Sequence, residues 1–287
     1  MTEHMINESS GSFIIDSHHH FWDLGKFKYD WMPNEPNILL RNYLPDDLVP
    51  LLKHNGVSGT ILIQAHQSIE EAEFLLDLAK NNRYIHGVVI WVDLTNINVS
   101  KTLDRLIKCP KLVGVRHQVE NEPDVTWLNR YDVLRGLKEV AHRGLAYDLL
   151  IRPIHLKHIP ELAEKIPELR MVVDHIAKPD IRTGSIESWA KDIAFLSTVP
   201  NIYCKVSGMV TEAAPGKYSV DDFKPYVSHV KDSFGIDRLM WGSDWPVCLL
   251  AANYSMVLSV ALDTLGYLTY EDEVKFFSEN ATRFYGL

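Results

Sequence analysis

From Phe13 onward, short apolar runs rich in β-branched residues alternate with longer stretches in which apolar residues recur every three or four positions. The short runs are FIIDSH (13–18), SGTILIQ (58–64), IHGVVIWV (85–92), LVGVRHQ (112–118), LAYDLLI (145–151), RMVVDH (170–175), NIYCKVS (201–207) and RLMWGSD (238–244). Their length and composition predict eight buried strands. Between them, PDDLVPLLKHNG (45–56), SIEEAEFLLDLAKNN (68–82), RYDVLRGLKEVAHRG (130–144), SIESWAKDIAFLSTVPN (185–201), SVDDFKPYVSHVKDSFG (219–235), YSMVLSVALDTLG (254–266) and TYEDEVKFFSENATRFYG (269–286) predict helices. An Asp or Ser at the start of the first two can cap the first turn, Thr269 can cap the last, and Gly144 suits the residue after a helix end.

Strands alternating with helices mean βαβ units and a parallel sheet. Eight such units in 287 residues fit a single α/β domain, a closed (β/α)₈ TIM-type barrel, better than an open doubly wound sheet. The expected division is a disordered polar tail over residues 1–11 and one barrel domain over 12–287. No GxGxxG follows the first strand, which removes the dinucleotide-binding signal. The connection from Trp22 to Leu44 is long and carries Trp31, and loops of that length in compact domains are usually functional.

Composition narrows the function classes. With 46% hydrophobic and 23% charged residues the chain is an ordinary globular one, and its formal net charge of −9 speaks against a nucleic-acid partner. No apolar run approaches a membrane span and the first residues lack the pattern of a secretory signal. Cys109, Cys204 and Cys248 are odd in number and widely spaced, so they read as reduced thiols in a cytoplasmic protein. A homo-oligomer is compatible with all of this.

Active sites of such barrels lie at the C-terminal strand ends, and polar residues collect there. Asp16, His18 and His20 share one parity on the first strand and are expected on one side. Gln64 and His66 end the second, Arg116, His117 and Gln118 the fourth; Asp148 lies on the fifth, His175 ends the sixth with Lys178 beyond, Lys205 lies on the seventh and Asp244 ends the eighth. Asp174, opposite in parity to His175, is expected to face the helix layer, and Lys205 either snorkels or lines the site. His86, His142, His158 and His229 read as surface or packing residues.

The motifs D-S-H-x-H-F-W-D, G-V-R-H, D-H-x-x-K-P and G-S-D-W-P, in that order along strands one, four, six and eight, resemble the amidohydrolase superfamily. The resemblance covers about Phe13 to Leu287 and points to the branch of sugar-acid lactonases acting on L-fuconolactone or L-rhamnonolactone. It implies His18, His20, His175 and Asp244 as the catalytic set. Many superfamily members carry a metal-bridging Lys or Glu on strand four and a metal-binding His on strand five; here Arg116 and Asp148 stand in those regions. The resemblance therefore implies at most one divalent metal, zinc before others, on His18, His20 and Asp244, or a metal-independent reaction.

The expected activity is opening of a sugar lactone by water. Asp244 would act as general base, and His18, His20 and His175 as donors to the developing oxyanion. Arg116, His117, Gln64, His66, Trp31 and Asp148 would bind the sugar, with the Arg116 fork suited to a carboxylate or hydroxyls and Trp31 stacking over the ring. Two readings compete: a zinc-dependent decarboxylase of the same superfamily, and a non-catalytic barrel that binds a sugar acid.

Overall fold

In the computed structural model, residues 13–32, 35–214 and 216–287 are described; the tail expected over 1–11 lies outside them. The eight predicted strands are all present: β1 (Ile14–His19), β2 (Val57–Ile63), β3 (Ile85–Ile90), β4 (Leu112–His117), β5 (Ala146–Leu149), β6 (Met171–Val173), β7 (Ile202–Val206) and β8 (Leu239–Trp241). They are parallel and ordered β1 to β8 in one sheet. The sheet closes beyond the ends of β8: the Asp244 amide donates to the His18 carbonyl at 2.8 Å and the His20 amide to the Trp245 carbonyl at 2.7 Å. The Ser17 hydroxyl adds a bond to the Trp241 carbonyl at 2.6 Å. The fold is the expected (β/α)₈ barrel.

The helices follow the predicted stretches where these are long. Ser68 caps Ile69–Asn81 by accepting from the Glu71 amide, and Thr269 caps the last helical segment in the same way. The helix Pro45–His54 is capped in reverse, its Asp47 carboxylate accepting from the Leu44 amide at 2.9 Å. Gly144 adopts φ +66° behind the helix Tyr131–His142. Two helices escaped the sequence pattern, Val99–Leu106 and Ile159–Lys165. Each has only two turns, too few to show a period.

Ile15, Ile61, Ile63, Val89, Val113, Val172 and Met240 pack with Phe284 and Tyr285 of the closing helix Asn280–Tyr285. That helix is tied to the barrel by Asn280, whose amide donates to the Ile236 and Leu239 carbonyls at 2.7 Å each. A larger apolar layer lies between sheet and helices. Among the described residues no helix is long and apolar enough to cross a membrane.

Candidate active site

Three strand ends bring His18, His20 and Asp244 together. His20 Nε2 lies 3.3 Å from both His18 Nε2 and Asp244 Oδ1, and His18 Nε2 is 3.8 Å from the same oxygen. His175 Nε2 joins from the end of β6, also 3.8 Å from Asp244 Oδ1. The four residues grouped from sequence thus share one mouth. Asp16 does not join them. Pairing between β1 and β2 slips between Asp16 and His19, which breaks the simple alternation. The Asp16 carboxylate instead accepts from the Ser243 amide at 2.8 Å and the Tyr254 hydroxyl at 2.9 Å, stitching β1 to the loop after β8.

The orientation of the imidazoles is set by their outer nitrogens. His20 Nδ1–H donates to the Ile63 carbonyl at 2.9 Å, so its Nε2 presents a lone pair to the cluster. His175 Nδ1 is 2.8 Å from the Ser207 hydroxyl. A Cβ on Gly208 would stand 2.5 Å from that ring nitrogen, so glycine is needed for His175 to sit there. Burial pushes His175 down to about 4 and His18 well below the ordinary histidine range, so both are neutral near pH 7. Burial works against the Asp244 charge, but His175, His20 and Lys178 hold its carboxyl below the usual range. The arrangement is therefore an ionised carboxylate facing uncharged imidazoles.

Beneath this cluster the barrel interior holds a buried ion network. Lys205 is fully buried, with Nζ 2.5 Å from Asp148 Oδ2 and 3.0 Å from Asp174 Oδ1. Arg116 Nη1 lies 3.1 Å from Asp174 Oδ2, and its Nη2 donates to the Gln64 carbonyl. His18 Nδ1 meets both halves of the network, 3.3 Å from Asp174 Oδ1 and 3.2 Å from Lys205 Nζ. Tyr285 closes it below, its hydroxyl donating to Asp148 at 2.8 Å. Burial raises Asp148 to about 6 against the pull of Lys205, whereas Lys205 and His18 overcome burial at Asp174 and hold it well below the carboxylate range. Asp174 thus faces the interior and not the helix layer. Strand β6 ends at Val173, and the chain then leaves the extended conformation on which parity depends. Lys205 does not snorkel; two carboxylates fix it inside.

Above the cluster opens a cavity of about 570 Å³, lined by His20, His175, Asp244, Arg116, His66 and Trp31, and along another wall by Gln118, Glu120, Arg152 and Lys178. Trp31 is anchored through its indole N–H to the Ala65 carbonyl at 2.7 Å. Three residues expected to bind substrate lie outside this lining. Asp148 is consumed by Lys205, and Gln64 is fully buried with its amide directed at the Arg116 carbonyl. His117 accepts from the Trp91 indole at 3.0 Å, meets Glu122 at 2.7 Å and stacks on Trp127 at 4.0 Å. Its position next to Arg116 in sequence turns it the other way.

Several contributors carry no sequence signal. Glu71, buried at the start of the helix Ile69–Asn81, accepts from the His66 amide at 2.8 Å and shapes the loop bearing His66. Lys178 grips both Glu120 oxygens at 2.7 and 2.9 Å. The turn that delivers Lys178 is strained: His175, Ile176, Ala177 and Lys178 all have φ between 47° and 62°. Left-handed L-residues cost about 1–2 kcal/mol each, and such strain is concentrated at ligand sites. Only the D-H-x-x-K spacing could have hinted at it.

A family model for amidohydrolases matches residues 15–287. An L-fucono-1,5-lactonase from Burkholderia ambifaria is 36% identical over 243 residues, covering 85% of this chain and 83% of that protein. The L-fucono-1,5-lactonase of Burkholderia multivorans is 34% identical, covering 87% of this chain and 88% of its own. A solved amidohydrolase structure from Burkholderia multivorans with bound zinc is 32% identical, with TM-score 0.90 over 96% of this chain and 99% of that one.

Proposed function

This chain belongs to the amidohydrolase family, and from that premise we propose that it hydrolyses the internal ester of a sugar-acid lactone. The observation that carries the reading is the convergence of His18 Nε2, His20 Nε2 and Asp244 Oδ1 at the floor of a polar cavity large enough for a six-carbon lactone. The two lactonases above supply the substrate class. Asp244 takes a proton from a water placed beside it, and the water oxygen attacks the carbonyl carbon. With the Ser207 hydroxyl donating to Nδ1, His175 presents Nε2–H to the developing oxyanion. The ring C–O bond then breaks, the ring oxygen takes up the proton, and the new carboxylic acid ionises. That last step releases the acid that an assay reads.

The same three atoms fit one divalent ion. Tetrahedral zinc at about 2.0–2.1 Å from its ligands requires them about 3.3 Å apart, and two of the three separations are 3.3 Å. The chemistry agrees: His20 Nε2 and Asp244 Oδ1, both acceptors, face each other, an arrangement that calls for a cation between them. Zinc bound there would polarise the carbonyl or lower the pKa of a bound water. A second ion at His18, Asp174 and His175 is disfavoured, because Lys205 and Arg116 already neutralise Asp174.

The test is a panel of aldonolactones followed as acid release in weak buffer, with and without chelator. Release above the no-enzyme rate on at least one sugar lactone is expected. No release across the panel, with carbon dioxide evolved from an aromatic acid, would move the assignment to the decarboxylase reading. Binding of the ring-opened acid without turnover would leave only a binding barrel.

A further inference from the structure

We propose that Glu120, Lys178 and Arg152 form a wall that reads the ring hydroxyls of a neutral polyhydroxylated substrate and so sets specificity among lactones. The proposal deepens the lactonase reading and rests on it for the reaction, though not for binding. Lys178 stands three residues after His175 in the left-handed turn, and both line the same cavity. The strained backbone therefore presents the ammonium and the catalytic imidazole to one ligand. Its partner arrives independently: Glu120 lies in the single turn Val119–Asn121 after β4, whose Glu120 amide donates to the Leu150 carbonyl at 3.1 Å. Arg152, just beyond β5, completes the wall with Nη2 3.3 Å from Glu120 Oε2.

The charge balance decides what such a wall takes. Arg152 also faces Glu212 at 4.0 Å, so two cations meet two carboxylates. A phosphate or carboxylate would find its attraction cancelled. A polyol would not: its hydroxyls both donate and accept, and the wall offers ammonium and guanidinium hydrogens beside carboxylate lone pairs. Burial opposes the Glu120 charge, but Lys178 and Arg152 hold its carboxyl below the usual range, so the acceptor persists at neutral pH. Trp31 and Val247 elsewhere in the lining provide apolar surface for the C–H face of the sugar. The ester, in this orientation, lies over Asp244.

The experiment compares a polyhydroxylated six-membered aldonolactone with δ-valerolactone, which has the same ring and ester without hydroxyls. Lys178→Met, Glu120→Gln and Arg152→Met are each measured on both. Losing a hydrogen bond to a charged group costs about 10- to 100-fold, so kcat/KM on the hydroxylated lactone should fall by about that factor, mainly through KM. The ratio of kcat/KM values for the two lactones should fall at least tenfold. Equal losses on both lactones, or no loss in any variant, overturn the proposal. Thermal melts check folding, and Arg152, half-exposed, can be replaced without opening the core. Calorimetric titration with the ring-opened polyhydroxy acid and with 5-hydroxyvalerate separates the two claims. If wild type turns over neither lactone but the variants selectively lose the polyhydroxy acid, the lactonase reading falls and the wall stands. If wild type binds both acids alike, the wall falls.

Discussion

Replacing Asp244 by Asn removes one charge and changes almost nothing else. Asp244 sits at φ +56°, a region that Asn tolerates at least as well as Asp, so the turn into Trp245 should survive. The side-chain amide can point its N–H at His20 Nε2, 3.3 Å from the present oxygen. It thereby fills the lone pair that now faces a carboxylate, and leaves no base for the water and no anionic ligand for a cation. General-base catalysis contributes roughly 10²–10⁴-fold, which corresponds to about 2.7–5.5 kcal/mol of barrier. Turnover on a sugar lactone should fall by that factor, while KM, set by the cavity walls, should change by less than about threefold. The assay is indicator-monitored acid release in weak buffer, corrected for spontaneous lactone opening, together with a thermal melt. Near-full turnover in Asp244→Asn, or a fall explained by a collapsed melting temperature, would refute the assignment of Asp244 as base.

The buried network gives a second prediction. Lys205→Met strands Asp148 and Asp174, and breaking a buried pair costs about 3–5 kcal/mol, so the melting temperature should drop by roughly 6–15 °C at about 2–4 °C per kcal/mol. Adding Asp148→Asn should restore part of it, and an unchanged melt in Lys205→Met would contradict the network. Glu71 gives a pH dependence: burial pushes it up to about 8, above its unfolded value, so its contribution to stability is complete below the unfolded pKa and is lost as pH rises through 8. Glu71→Gln keeps the acceptor for the His66 amide and should flatten the denaturant midpoint between about pH 5 and 9; an unaltered wild-type slope would show that Glu71 titrates normally. Elemental analysis should find no more than one divalent ion per chain, and two zinc ions in active protein would overturn the neutralisation of Asp174.

The barrel was legible because its evidence is local. Each strand announces itself by a β-branched run, and the polar residues ending those runs marked His18, His20, His175 and Asp244 as neighbours. Legibility failed where side chains are aimed by something other than alternation. Asp174 lies one residue past the end of β6, in a left-handed turn, so parity assigned it to the wrong layer. Asp16 was displaced by a register slip. Asp148 looked like a site residue because it sits on a strand, but its partner Lys205 is 57 positions away and nothing in either run predicts the pairing. Glu120, Arg152 and Glu71 lie on turns and a helix start, where a charged residue is ordinarily solvated. Only the closed barrel shows that they face inward.

The join between β1 and the residues following β8 has a consequence for how the molecule comes into being. His18 and His20 leave the ribosome early, while Asp244 and the Ser243 amide that steadies Asp16 emerge some two hundred residues later; Ser17 and Trp241 are 224 positions apart. A nascent or truncated chain lacking β8 would therefore carry three imidazoles but no carboxylate, and the edge of β1 would stand open. Catalysis becomes a checkpoint for completion: in refolding, lactone opening should return after helical circular dichroism, at the moment the first strand meets the last.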